Sequence, residues 1–322
     1  MIQAFWMILG IAPLLSSAFA DSPASISHHS GIRTAQTLLA AGDYAQAFDR
    51  YHAAAVNDHH PLAQFSLAQF YQNGWGRAVD RAMACNWYEQ AAQNGIPAAQ
   101  HMTGLCYEAG MHRPADPAAA AAWFYKAAQA GHLSSYCHLG NLMMTGNGAA
   151  KDPNKALELC HSAALQGSVP AHIWMGKFYL YGDSSVHNPQ HAYKWFLAAA
   201  QKQSGEAFYH LGMMLDRGVM DSHDAAQSRL LFEQAAALKF IPAYFKAGTR
   251  FFAAEPDAET QRLSADNLAK AYLWISAAIE QSDDAEEVAA AGTIRQQILA
   301  VMPSTWLVEL DRKVARHIQE SN

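Results

Sequence analysis

Sixteen histidines and four cysteines are the side chains of this 322-residue sequence best equipped for metal or thiol chemistry. His28 and His29 are adjacent, as are His59 and His60, and His187 stands four residues before His191. A zinc site draws together four His, Cys or carboxylate ligands, and its mark in a sequence is a short fixed spacing, such as two histidines flanking a glutamate on one helix. None of these histidines has that setting, and no cysteine pair lies beside them. His187 lies ahead of Pro189, so its spacing to His191 need not be helical. No serine occupies a nucleophile elbow, and Thr145-Gly146-Asn147-Gly148 lacks the Lys-Ser/Thr ending of a phosphate loop. The expectation is no catalytic residue, no metal and no cofactor.

The cysteines, Cys85, Cys106, Cys137 and Cys160, raise a different chemistry, which depends on compartment. From Ala4 to Leu15 the chain is apolar apart from Gly10 and Pro13; Ser16-Ser17 and Ala18-Phe19-Ala20 follow, ahead of Asp21. A short apolar core ending in small-x-small is the secretory signal pattern, although no Lys or Arg precedes the core here. Cleavage is predicted after Ala20, residues 21–30 are expected to be a flexible N-terminus, and the location is expected to be periplasmic or secreted. No later segment approaches the length of a membrane span. An even cysteine count in an exported chain permits two disulfides. Cys85 and Cys106 lie about equally far from the turn at Gly95–Pro97, as do Cys137 and Cys160 from the loop near Gly148. In an antiparallel helix pair such residues share a height, which allows bridging. Four buried thiols at helix contacts satisfy the same spacing.

The elements that must carry these residues repeat. Gly104, Gly140, Gly176, Gly212 and Gly248 recur at an offset of 36. So do the pairs beginning at Ala91, Ala127, Ala163, Ala199 and Ala235, and the large residues Trp87, Trp123, Leu159, Trp195 and Leu231. Chemically different ladders in phase over five units mark a stacked array. In the unit from Pro61 to Ile96, Ala63, Leu67, Phe70 and Tyr71 form one apolar stripe of a helix. Gly74 and Gly76 end it, Asp80 is placed to cap a second helix, and Asn94-Gly95 stops that one before Pro97 opens the next unit. The glycine ladder is expected to let the helices of a hairpin approach closely, and the alanine ladder to do the same between repeats. The Trp87 ladder is expected to fill the wedge between helices, each buried aromatic contributing on the order of 3 kcal/mol.

The string Ala63, Gly74-x-Gly76, Asp80, Trp87-Tyr88, Ala91-Ala92, Gly95 resembles a Sel1-like repeat, a bacterial relative of the tetratricopeptide repeat. The unit with Leu139-Gly140, Gly146-x-Gly148, Asp152, Lys155-Ala156, Ala163-Ala164 and Gly167 resembles it more closely. The resemblance implies an all-α fold, a right-handed α-solenoid of antiparallel helix hairpins. Its expected extent is 61–282, six repeats of about 36 residues, the last carrying an insertion at 255–267 that displaces Trp274 by seven residues and Ala277-Ala278 by six. Residues 31–60 are expected to form an N-terminal capping hairpin and 283–322 a pair of C-terminal capping helices, split at Met302-Pro303.

In tetratricopeptide-like arrays the first helix of each hairpin lines the concave side. Its non-core positions here are expected to be Phe65, His101, Ile173, Tyr209 and Phe245 on one ladder, then Gln69, Asn141, Lys177 and Met213, then Gln72, Glu108, Met144 and Asp216. Chemistry that varies while the period holds suits a groove for a protein or peptide. With 16% charged residues, a net charge of -6 and no basic run, nucleic acid is not an expected partner. The resemblance therefore implies a non-enzymatic adaptor of the bacterial cell envelope. A cysteine-rich branch of the same family implies a β-lactam-binding or hydrolysing enzyme instead, but that branch carries a cysteine pair in nearly every repeat and only two repeats here could. A modulator of a peptidoglycan enzyme differs from the adaptor only in its partner.

Overall fold

The structure, a computed structural model, describes residues 23–219 and 224–319, with side chains from residue 31 onwards. The predicted signal segment and its cleavage site lie outside these residues, as do the side chains of His28 and His29. Among the described residues every regular element is helical, and the fold is an all-α solenoid of tandem helix hairpins. The chain divides into two compact units at Asp116 and Pro117.

The first unit holds α1 (Pro23–Ala40), α2 (Tyr44–Asn57), α3 (Pro61–Asn73), α4 (Arg81–Gln93) and α5 (Pro97–Ala109), each lying against the next. Helix α1 begins at Pro23 and so takes in residues 23–30 of the segment expected to be flexible. Its only proline opens the helix, where the missing N–H is not needed, and no glycine intervenes before Gly31. The repeat punctuation works as its residue types require. Gly74 ends α3 in the left-handed region at φ 69°, and the Asp80 carboxylate accepts the Met83 N–H at 2.9 Å to cap α4. The core runs through Ala47, Tyr51, Ala63, Leu67 and Phe70.

The second unit holds α6 (Pro117–Gln129), α7 (Leu133–Thr145), α8 (Pro153–Leu165), α9 (Val169–Tyr181), α10 (Pro189–Ala200), α11 (Gly205–Asp216), α12 (Ala225–Ala237) and α13 (Pro242–Phe252). Then come α14 (Ala265–Gln281), α15 (Ala285–Val301) and α16 (Leu307–Gln319). The cap recurs: Asp152, Asn188 and Asp224 accept the N–H groups of Lys155, His191 and Gln227 at 3.0, 3.0 and 2.8 Å. Ser264 caps α14, so residues 265–267 of the expected insertion belong to that helix. Part of the added length is therefore an extra turn of helix, and it leaves Ile275 against Gly248.

The buried aromatic ladder is not the one read from sequence. Trp87, Trp123, Leu159, Trp195 and Leu231 are all half-buried. The residues one position later, Tyr88, Phe124, Cys160, Phe196 and Phe232, are buried outright. The first alanine of each pair, from Ala91 to Ala235, is wholly buried as expected. A β-carbon on Gly176 would lie 2.5 Å from the Phe196 ring, and one on Gly212 2.9 Å from Phe232. The glycine ladder thus seats the aromatic of the second helix directly on the backbone of the first. Packing this tight has no room for one more methyl group.

Candidate partner-binding groove

The expected groove residues split between the two units; of the leading ladder Ile173 is buried, and Phe65, His101, Tyr209 and Phe245 are half-buried. In the first unit the half-buried Phe65 ring meets Tyr88 at 5.5 Å between centroids, and Gln72 accepts a hydrogen bond from the Tyr88 hydroxyl at 2.6 Å. Gln69, His101 and Glu108 are half-buried. In the second unit Ile173 is buried, and Tyr209 packs against Phe232 and Phe240 at 5.8 and 5.3 Å. Met213 is also buried, and Phe245 leans on the C-terminal core. Phe65, Gln72 and Tyr209 thus reach from the first helix of a hairpin toward the second. A rotation of one residue along an α-helix is about 100°, enough to turn a supposed groove position into a packing position.

Asn141 and Lys177 are exposed, and the structure brings them together in a groove of about 720 Å³. Its floor comes from α7 through His138, Asn141 and Met144, and from α9 through Ile173, Trp174, Lys177, Phe178 and Tyr181. Ser204 and Glu206 at the start of α11 close one side. Trp174 and Phe178, one helical turn apart, stack at 5.3 Å with 10° between ring planes. The Trp174 indole N–H donates to the Asn141 side-chain oxygen, which ties α9 to α7. Lys177 pairs with Glu206, tying α9 to α11.

Glu206 is the electrostatic centre of this groove. The neighbouring His210 imidazole, at 3.8 Å, and then the Lys177 ammonium hold its carboxyl down to about 2, against the upward push of burial. His210 is itself buried, stacked on Phe196 at 4.7 Å and within 3.3 Å of the Tyr181 hydroxyl. Carboxylate, ammonium and imidazole are thus organised by two successive repeats, and an aromatic shelf lies beside them. The groove offers one apolar stacking face and a row of charged and amide groups.

Sequence reasoning missed Trp174, Phe178, Tyr181 and Glu206. The available signal was the 36-residue ladder that places Trp174 one position after Ile173, alongside His138. His59 and His60 sit between α2 and α3, His187 precedes α10, and His191 lies in its first turn. Among the described residues none of them joins two other potential ligands. The cysteines are paired, Cys85 with Cys106 and Cys137 with Cys160, at Cα separations of 5.8 and 4.8 Å. The first bridge links α4 to α5 and the second links α7 to α8.

The family profile described as Sel1 repeat matches residues 61–96, 97–132, 133–168, 169–204 and 205–240. This chain belongs to the Sel1 repeat family. The matched stretch covers α3 to α12; the hairpin of α13 and α14 lies beyond it. A Sel1 repeat protein from Oxalobacter formigenes is similar over 78% of this chain and 100% of its own, with 24% identity and a TM-score of 0.62. The protein c5321, a protective antigen present in uropathogenic Escherichia coli strains and displaying an SLR fold, aligns over 91% of this chain and 76% of its own, with 17% identity and a TM-score of 0.51. Both likenesses concern the fold. No curated protein matches this sequence. Sel1 repeat proteins are in general scaffolds for protein interaction, and no described helix of this chain is long and apolar enough to cross a membrane.

Proposed function

We propose that this chain is a non-enzymatic adaptor of the bacterial cell envelope that holds an extended segment of a partner protein in the groove of α7, α9 and α11. The observation carrying this reading is the stacked Trp174–Phe178 pair on the groove floor, flanked by Asn141 on one side and the Lys177–Glu206 pair on the other. Aromatic anchors ringed by polar groups are where binding energy concentrates in protein recognition. An extended segment lying across successive first helices meets one apolar shelf and alternating amide and charged groups, which suits apolar side chains interleaved with polar ones.

The test begins with recovery of partners from an envelope fraction on the chain lacking residues 1–20. Synthetic segments of any recovered partner are then titrated against the wild type and Trp174→Ala/Phe178→Ala. Loss of at least tenfold in affinity with helicity unchanged supports the groove. Binding that is indifferent to the double substitution, yet lost when an unrelated face is altered, removes it.

A further inference from the structure

His112 is an anomaly in the first unit. Its side chain is only 2% exposed, and neither ring nitrogen has a hydrogen-bond partner. Buried polar groups are nearly always paired, so an unpaired imidazole calls for a specific explanation, such as an ion. The Glu89 carboxylate lies close by, but its Oε2 stands 3.6 Å from His112 Nε2, too long for a hydrogen bond. Glu89 is instead held by Arg113 at 2.6 Å and by the Tyr107 hydroxyl at 2.9 Å.

Two soft ligands stand beside that ring. Ligand atoms of His112, Cys85 and Cys106 all lie within 4.8 Å of one another, and both cysteines are buried. Among the described residues they form the one group of three or more His, Cys, Asp or Glu that is gathered so closely. Tetrahedral zinc at about 2.3 Å from sulfur and about 2.0 Å from nitrogen spans ligand separations of roughly 3.3–3.8 Å, so modest relaxation of an opened bridge suffices. A cavity of about 120 Å³, lined by Cys85, Cys106, Gln72, Tyr88 and Met102, borders the bridge and leaves room for a water as fourth ligand.

We propose that the Cys85–Cys106 bridge masks a site for one zinc-class divalent cation, and that reduction opens it with Cys85 Sγ, Cys106 Sγ and the His112 imidazole as ligands. A dithiol supplies the two electrons. Its thiolate attacks one bridge sulfur to form a mixed disulfide and releases the other cysteine; its second thiol then displaces the first bond. Cys85 and Cys106 end as thiols, and the reductant ends as its cyclic disulfide. The cation displaces both thiol protons to solvent. Oxidised, the site is a structural crosslink; reduced, it is a metal clip joining the same two helices.

The experiment uses the full chain and a Cys137→Ala/Cys160→Ala chain that keeps only the first bridge. Each is reduced with dithiothreitol, freed of it anaerobically and titrated with Co²⁺, followed by competition with Zn²⁺. Expected for both chains is about one equivalent bound when reduced and none when oxidised, with thiolate-to-cobalt absorption and the visible bands of a tetrahedral ion. His112→Ala should lose more than the roughly 10–100-fold that outer-shell changes cost. Zn²⁺ should raise the melting temperature of the reduced chain but not of reduced His112→Ala. The proposal is overturned by no uptake after reduction, by equal uptake in the oxidised chain, by uptake that requires Cys137 and Cys160, or by affinity unchanged in His112→Ala. A reduced chain that remains unfolded with Zn²⁺ present overturns it equally.

Discussion

Cys137 and Cys160 occupy, in the third matched repeat, the two helix positions at which Phe65 meets Tyr88 in the first and Tyr209 meets Phe232 in the fifth. The positions are related by whole multiples of the 36-residue period. A covalent bridge has therefore taken the place of an aromatic contact between the two helices of a hairpin. The seat is the same in kind: a β-carbon on Gly140 would lie 3.1 Å from Cys160 Sγ, just as one on Gly176 would meet Phe196. With sulfur in place of a ring, cohesion of this hairpin depends on oxidation.

Removing that bridge with Cys137→Ala/Cys160→Ala should cost about 3 kcal/mol, the expected scale for a crosslink between residues 23 apart. Cys137→Ile/Cys160→Phe installs the residue types found at Ile173 and Phe196 in the next repeat, and should recover at least about half of that loss through buried apolar area. Urea unfolding of the three chains decides the matter. If the Ile/Phe chain is no more stable than the Ala/Ala chain, the two positions are not interchangeable between sulfur and ring.

A second expectation concerns a turn that lacks its usual residue. Gly95, Gly131 and Gly167 close three repeats at φ 84°, 84° and 86°, but the same position is Gln203 at φ 59° and Lys239 at φ 63° in the next two. A side chain in the left-handed region costs roughly 1–2 kcal/mol, partly offset by the greater unfolded-state entropy of glycine. Gln203→Gly and Lys239→Gly should each stabilise the chain by about 0.5–1 kcal/mol. Lower midpoints in denaturant for both would show that side-chain contacts outweigh the backbone strain.

Those turns also show how far the sequence can be read. Period, helix limits and caps were legible because each rests on local chemistry: Asp80 and Asp152 at the N-cap, Gly74 and Gly146 at the C-terminus. Which of two adjacent large residues goes inward was not legible. Trp195 and Phe196 are both aromatic, and the glycine of the facing helix, Gly176, seats Phe196; opposite Tyr88 the same position of the period is Ala68. The same ambiguity hides that Tyr209 and Phe245 are half-buried while Asn141 and Lys177 are exposed. His112 was missed because its neighbours come from two different helices, at positions 85 and 106.

The seating of aromatics on glycine gives a third expectation. Gly176→Ala places a methyl 2.5 Å from a ring that is wholly buried, so Phe196 must move within a filled core. A loss of about 1–3 kcal/mol is expected. Phe196→Leu alone should also destabilise, but the double variant Gly176→Ala/Phe196→Leu should lose less than the sum, because the smaller side chain yields the space. Strict additivity in a double-mutant cycle would show that the clash is relieved elsewhere.

Finally, the groove should stiffen or loosen with acid through Glu206. Its folded-state pKa, about 2, lies below the ordinary 4.5, because His210 and Lys177 favour the charged carboxylate. A depressed carboxyl contributes stability that is complete above 4.5 and is lost as pH falls from there through about 2. The side chain is 33% exposed, so solvent screening reduces the effect to about 1 kcal/mol. Wild type should exceed Glu206→Gln by that amount at pH 7, and the difference should shrink steadily as pH is lowered from 5 to 3. Titration of the Glu206 carboxyl by NMR in a His210→Gln chain supplies the second measurement. Its midpoint should move up toward 4.5, because the imidazole is the larger of the two stabilising partners. A stability gap that does not change with pH, or a midpoint that stays near 2 without His210, would leave the Lys177 pair alone as the link between α9 and α11.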